Sequence, residues 1–191
     1  MTGRRLWQVG GALVLIGLSA WAVTVGVDRL ARPEAEPEQP PPAVPAPTTA
    51  HITATLYYGS LDGQALVPVR REVPLAEGPM AQGREVLLRQ LGEPPSGYLQ
   101  VVPAGTTLRA FYVTARGDAF VDLSGEVSAA HPGGSLAELL TVYALVNAVT
   151  TNLPSVRRVQ ILVDGKEVDT IAGHVDVRGA LLPDASLVRE R

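Results

Sequence analysis

The sequence predicts an α+β domain over residues 51–178, two helices packed on a mixed β-sheet in the order ββαββαββ. Three observations predict it. Runs with a strand period of two come in pairs joined by short turns, at 61–63, 116–118 and 164–165. Two stretches with a helical period separate those pairs. The first fifty residues have a different composition and cannot contribute to a core, which leaves enough chain for one domain. Helices laid on one face of a sheet bury both apolar surfaces at once.

Residues 1–5 are a short tail, expected on the cytoplasmic side. From Leu6 to Val27, "LWQVGGALVLIGLSAWAVTVGV", 22 residues carry no charge. At about 1.5 Å per residue, a helix of this length covers the roughly 30 Å hydrocarbon core. A transmembrane signal anchor over residues 6–28 is therefore expected. Ala20-Trp21-Ala22 offers the alternative of a cleaved signal peptide, although the apolar run continues past it. Arg4 and Arg5 nearly balance Arg29 and Arg32, but a short leader before the whole globular part suits an exported C-terminal domain. The expectation is a single-pass cell-membrane protein with its domain extracytoplasmic. Residues 29–50 form a Pro-rich linker holding seven of the sixteen prolines. With φ fixed near polyproline II, it reaches on the order of 50 Å as a disordered but semi-rigid spacer.

"HITATLYYG" (51–59) alternates Ile52, Ala54, Leu56 and Tyr58 against wetter positions, and "ALVPVRREV" (65–73) returns after the turn at Leu61-Asp62-Gly63. Pro68 suits an edge strand because it cannot donate to a ladder. A helix is expected from Pro79 to Leu91, with Met80, Leu87, Leu88 and Leu91 as its apolar stripe and Gly92 and Pro94-Pro95 as its stop. "TLRAFYVTA" (107–115) and "DAFVDL" (118–123) form a second hairpin through Arg116-Gly117-Asp118, where Gly117 supplies positive φ. Turn chemistry accounts for that tripeptide without the adhesive reading of Arg-Gly-Asp. Ser135 and Glu138 spell a capping box opening a long helix to Leu153-Pro154. "VRRVQILVDGKEVDTI" (156–171) reads as strand, Asp164-Gly165 turn and strand; "GHVDV" (173–177) continues extended, and 179–191 is expected to be a flexible tail.

Composition excludes several functions. From residue 51 onward, 12 Lys and Arg face 15 Asp and Glu, so no field attracts a nucleic acid. The absence of cysteine removes disulfides, thiolate chemistry and a lipid-bearing cysteine. His51, His131 and His174 lack metal-ligand spacing, and no cofactor motif is present. "AFVDLSGEV" (119–127) is the one stretch that invites a catalytic reading, through Asp122, Ser124 and Glu126 with His131 beyond. A hydrolase would need His131 or His174 within hydrogen-bond reach of Ser124, together with oxyanion donors. The simpler expectation ends a strand at Leu123, with Val121 and Leu123 inward. Asp122, on the wet side, then binds the amide of Ser124 or Gly125.

Taken together, "ATLYYGSLDGQALVPVRREV", "LLRQLGEPP", "VPAGTTLRAFYVTARGDAFVDLS", "VRRVQILVDGKEV" and "GHVDV" resemble the GerMN domain, a sporulation and spore-germination module. The resemblance spans Thr53 to Val177. Its most specific pieces are Pro103 to Thr106 with Gly105, Val121-Asp122-Leu123-Ser124, and Val163 to Gly165 with Asp164; Gly117 belongs to the same signature. It implies a non-enzymatic, extracytoplasmic module of the bacterial cell envelope, with no cofactor. Members occur as lipoproteins, in sensor-associated proteins and joined to peptidoglycan amidase domains. The expected partner is therefore peptidoglycan or an envelope protein that remodels or assembles it, with self-association through exposed sheet edges or association with a sensor kinase as alternatives. The chain departs in having one such domain where some members have two, and in the expected transmembrane anchor in place of the lipid-bearing cysteine.

Overall fold

The computed structural model describes residues 50–190, which lie within one compact unit. The membrane segment and Pro-rich linker expected before residue 50 lie outside the described residues. Among the described residues, no helix is long and apolar enough to cross a membrane.

Among the described residues, six strands and three helices follow in the order β1 (His51–Gly59), β2 (Leu66–Pro74), α1 (Gly78–Leu91), β3 (Leu108–Val113), β4 (Asp118–Leu123), α2 (Glu126–Ala129), α3 (Ser135–Asn152), β5 (Arg158–Val163) and β6 (Lys166–Glu167). The three expected hairpins all form, each antiparallel. Two turn predictions hold in detail: Gly117 sits at φ 82°, and Asp164 and Gly165 both take positive φ, at 51° and 76°. The short helix α2 was not expected, and β6 is only two residues long, so the run to Ile171 and "GHVDV" form no strand.

The hairpins do not share one sheet. β3-β4-β5-β6 make a four-stranded sheet that is mixed because β4 and β5 run parallel, while β1 and β2 stand apart as a pair. Side-chain amides from the helices explain the separation. On the outer edge of β1, Asn152 accepts the N–H of Thr55 (2.9 Å) and donates to its carbonyl (2.7 Å). Gln90 does the same at Tyr57 (2.9 and 2.7 Å). Leu99 then exchanges both backbone bonds with Gly59. An edge whose donors and acceptors are already bonded cannot take another strand.

The same device recurs. Gln82 bonds the carbonyl of Pro74 and the amide of Ala76, and Asn147 bonds both polar groups of Asp184. Gln82, Gln90 and Asn147 are buried, and the inward face of α1 is Gln82, Gly83, Val86, Leu87 and Gln90. The stripe expected from periodicity is displaced: Met80 and Leu88 are 52% and 43% exposed. Val121, Leu123, Val159 and Ile161 of the four-stranded sheet meet Val142, Leu145 and Val149 of α3 in the main core, and Leu56, Tyr58 and Val73 meet Leu140 and Ala144 in a second. α3 is buried on most sides, as its nearly continuous apolar sequence requires.

The segment after Gly179 is not a free tail. Leu181 exchanges two backbone bonds with Val159 at the edge of β5, and Leu66 of β2 is bonded to Leu187 and Arg189. Next along the outer edge of β2 comes Pro68, which has no N–H to extend this parallel pairing.

Candidate functional site

Apart from Gly117, the signature residues lie toward one end of the four-stranded sheet. β4 and β5 are parallel and in register, so the amide of Asp164 reaches the carbonyl of Leu123 (2.9 Å) and the β5–β6 turn lies beside the end of β4. Asp122, 7% exposed, accepts the Gly165 amide at 2.7 Å and receives Arg109 Nε at 3.3 Å. This corrects the expected turn onto Ser124 or Gly125: Asp122 bonds 43 residues ahead, across strands. The Arg109 guanidinium also reaches Asp164 at 3.4 Å.

Ser124 looks backward along the chain. Its Oγ accepts the Thr107 amide (2.9 Å), and its own amide donates to the Thr107 carbonyl (3.0 Å). Its hydroxyl bonds Glu126, holding that carboxyl below the usual range. Pro103 accepts the Thr106 amide across a turn with Gly105 at φ 84°. At the sheet's opposite end Gly117 cannot be replaced without strain: a Cβ there would lie 2.7 Å from the Ser155 carbonyl oxygen. Val121 and Leu123 point into the core, as expected.

The two histidines of the hydrolase reading are engaged elsewhere. Nδ1 of His131 accepts the Gly133 amide (3.0 Å), which puts the proton of the neutral ring on Nε2, facing Thr141 Oγ1 at 3.1 Å. Thr141 donates onward to the carbonyl of Val101. His174 lies 3.3 Å from Glu138. Among the described residues, neither histidine is bonded to Ser124.

Glu138 is the polar centre that sequence reasoning assigned wrongly. No side chain caps α3; its N-cap is Gly134 at φ 90°, and Ser135 is already helical. Glu138 is fully buried and accepts the amides of Ile171 (2.8 Å), Ala172 (2.7 Å) and His174 (2.8 Å). Burial alone would push its carboxyl up; the amides of the 171–175 loop outweigh it and hold the group below its ordinary value. It anchors a loop lacking secondary structure, and only its place on the inward face of the helix hinted at this.

The remaining feature is an open strand edge. Thr114 bonds Asp118 at the hairpin end, and the β3–β4 register then alternates so that Tyr112 faces β4 while Phe111 and Val113 turn their N–H and C=O groups away. Among the described residues these groups have no partner. Beside Val113 lies a groove of about 400 Å³ lined by Glu77, Pro79, Met80, Val113, Thr114 and Ser155.

A mixed α+β domain whose signature side chains fasten turns and strand ends defines the class. The chain belongs to the Germane family, described as sporulation and spore germination, whose model matches residues 55–169. Solved structures with this fold include the tandem GerMN domains of the sporulation protein GerM from Bacillus subtilis. There the identity is 20% and the TM-score 0.56, with 70% of this chain covering 46% of that one. The first GerMN domain of the same protein aligns at 22% identity and TM-score 0.53, over 69% of this chain and 97% of that domain. A Clostridium perfringens protein carrying the word lipoprotein in its name aligns at 23% identity and TM-score 0.50, over 70% of this chain and 88% of its own. The match to the tandem protein thus spans about half its length. No curated protein sequence matches the chain.

Proposed function

We propose that this chain is a non-enzymatic interaction module of the cell envelope, held at the membrane by residues 6–28 with residues 51–178 on the extracytoplasmic side. Its role in this reading is to bind or scaffold proteins that remodel or assemble the envelope. The observation that carries the proposal is the unpaired edge of β3 in a fold that closes much of its other edges with side-chain amides, a bridging segment and proline. Exposed strand edges are hazards that domains blunt unless they are used. The uncharged run before residue 28 supports the anchored placement; so does the occurrence of the fold in a protein named a lipoprotein.

A photo-crosslinking residue placed at Tyr112, on β3, and separately at Leu61, in the β1–β2 loop, tests the reading in cells. A protein adduct formed from position 112 and absent from 61 is expected. No adduct from either position, together with sedimentation of the full chain on purified peptidoglycan at low salt, would replace the protein partner with the glycan. For the non-enzymatic part, Ser124→Ala is expected to leave the cellular phenotype unchanged while Leu123→Asp abolishes it; loss of phenotype in a well-folded Ser124→Ala variant would sink that part.

A further inference from the structure

Among the described residues, most outward strand positions have a visible closure. β1 is closed at Thr55, Tyr57 and Gly59 by Asn152, Gln90 and Leu99, and β5 by β6 and Leu181. β2 is bonded to Leu187 and Arg189 at Leu66, lacks a donor at Pro68, and is held by Gln82 at Pro74. Between these points only Arg70 and Glu72 face outward, both exposed and charged, which discourages an apolar strand. On β3 the outward groups belong to Phe111, whose ring is buried against α1, and to half-buried Val113; neither residue is charged or proline, and no hydrogen bond closes these groups among the described residues.

The surroundings of this edge specify a partner. Met80 and Pro79, exposed, and half-buried Val113 give the adjoining groove apolar walls. Just beyond it, Arg157 donates to the Arg116 carbonyl, bringing Arg116, Arg157 and Arg158 to one hairpin end. Asp118 is the single carboxylate there, and Arg158 takes it at 2.7 Å. Arg116 and Arg157 are exposed and form no ion pair among the described residues. Glu77 on the far rim keeps a carboxylate out of the groove itself, so an incoming chain is favoured with an apolar side chain in the groove and an acidic one at the arginines.

We infer that the outer edge of β3 binds an extended acidic polypeptide segment of a partner protein, pairing with Phe111 and Val113, seating an apolar side chain against Met80 and Val113, and placing a carboxylate at Arg116 and Arg157. This rests on the interaction-module reading and names the chemistry of its partner. Backbone bonds supply the attachment and the two side-chain subsites the selectivity.

Two capped peptides test it on the full chain, one alternating valine and glutamate, the other valine and lysine. The glutamate peptide is expected to slow hydrogen exchange over residues 109–114 and to bind at least about tenfold more tightly than the lysine peptide, less so at high salt. Val113→Pro removes a donor that β4 does not use, so it should abolish protection while leaving thermal unfolding in place. Should that variant misfold, Arg116→Glu with Arg157→Glu decides alone: binding reduced about tenfold or more supports the site, and unchanged binding overturns it. Equal binding of both peptides, protection at residues 70–72, or protection that grows with protein concentration in the absence of peptide would each overturn it, the last assigning the edge to a second copy. Crosslinking from Tyr112 that survives Val113→Pro would remove this site and leave the broader reading intact.

Discussion

Glu138 concentrates in one side chain a job that elsewhere takes a strand. Its two oxygens hold the loop at residues 171–174 by three amides, so Glu138→Gln, which presents an N–H₂ where one oxygen accepted, should cost about 2–4 kcal/mol. Denaturant titration measures the loss, and faster exchange at residues 171–174 locates it. His131 responds to pH in a defined direction. Burial, with His174 adding to it against the pull of Glu138, sets its folded pKa below the ordinary 6.5. The unfolded chain then binds the proton more readily, so stability is full above about 6.5 and declines as pH falls toward the lower folded value. Thermal melts across this range should show that slope, and His131→Asn, whose amide oxygen can still accept from Gly133, should flatten it. Glu138, also lowered, adds its own loss only below its ordinary 4.5.

At the scale of elements, the helices work as clamps. Gln90→Ala and Asn152→Ala each leave one N–H and one C=O of β1 unbonded and should cost about 1–3 kcal/mol apiece. Light scattering should also show faster aggregation, because the uncovered edge can recruit another strand. Gly83 carries the opposite lesson to a usual helix glycine. Alanine in a helix interior gains about 1 kcal/mol over glycine, but here its Cβ would collide with the ring of Phe111 and crowd Leu153. Gly83→Ala should therefore destabilise, by about 1–3 kcal/mol of overpacking, as a lowered melting temperature. These contacts mark the limit of what the sequence reveals. The hairpins at Gly117 and Asp164-Gly165 were legible because turn chemistry is local, as were the spans of the long helices. The clamps were not: Gln90 meets Tyr57 at a separation of 33 residues and Asn152 meets Thr55 at 97. Periodicity therefore placed Leu88 and Met80 inward, where amides and a glycine stand. Asp122 and Glu138 were given local backbone tasks because a single sequence offers no view of Gly165 or Ile171 from their positions. For the candidate site, the strands and turn flanking the open edge were readable, but its openness was not, since it depends on how the other edges are closed.

Across the whole domain, the last described residues are structural members. Ending the chain at residue 178 would remove the bridge to Val159, the partners of Leu66 and the Asp184 clamp. Such a truncation should lower stability by several kcal/mol, on the order of 1 kcal/mol for each lost bonded contact, and calorimetry against the full chain would show it. A further consequence lies in the order of events during synthesis. β1 and β2 are made first, yet Asn152 arrives 97 residues after Thr55, and Arg189, which also pairs with Asp62, 127 residues after it. At about 5–20 residues per second, the first hairpin waits on the order of ten seconds for the segments that seal it. Pro68 and the charges at Arg70, Arg71 and Glu72 then serve a chain that is still incomplete, protecting a nascent hairpin whose permanent cover has yet to be translated.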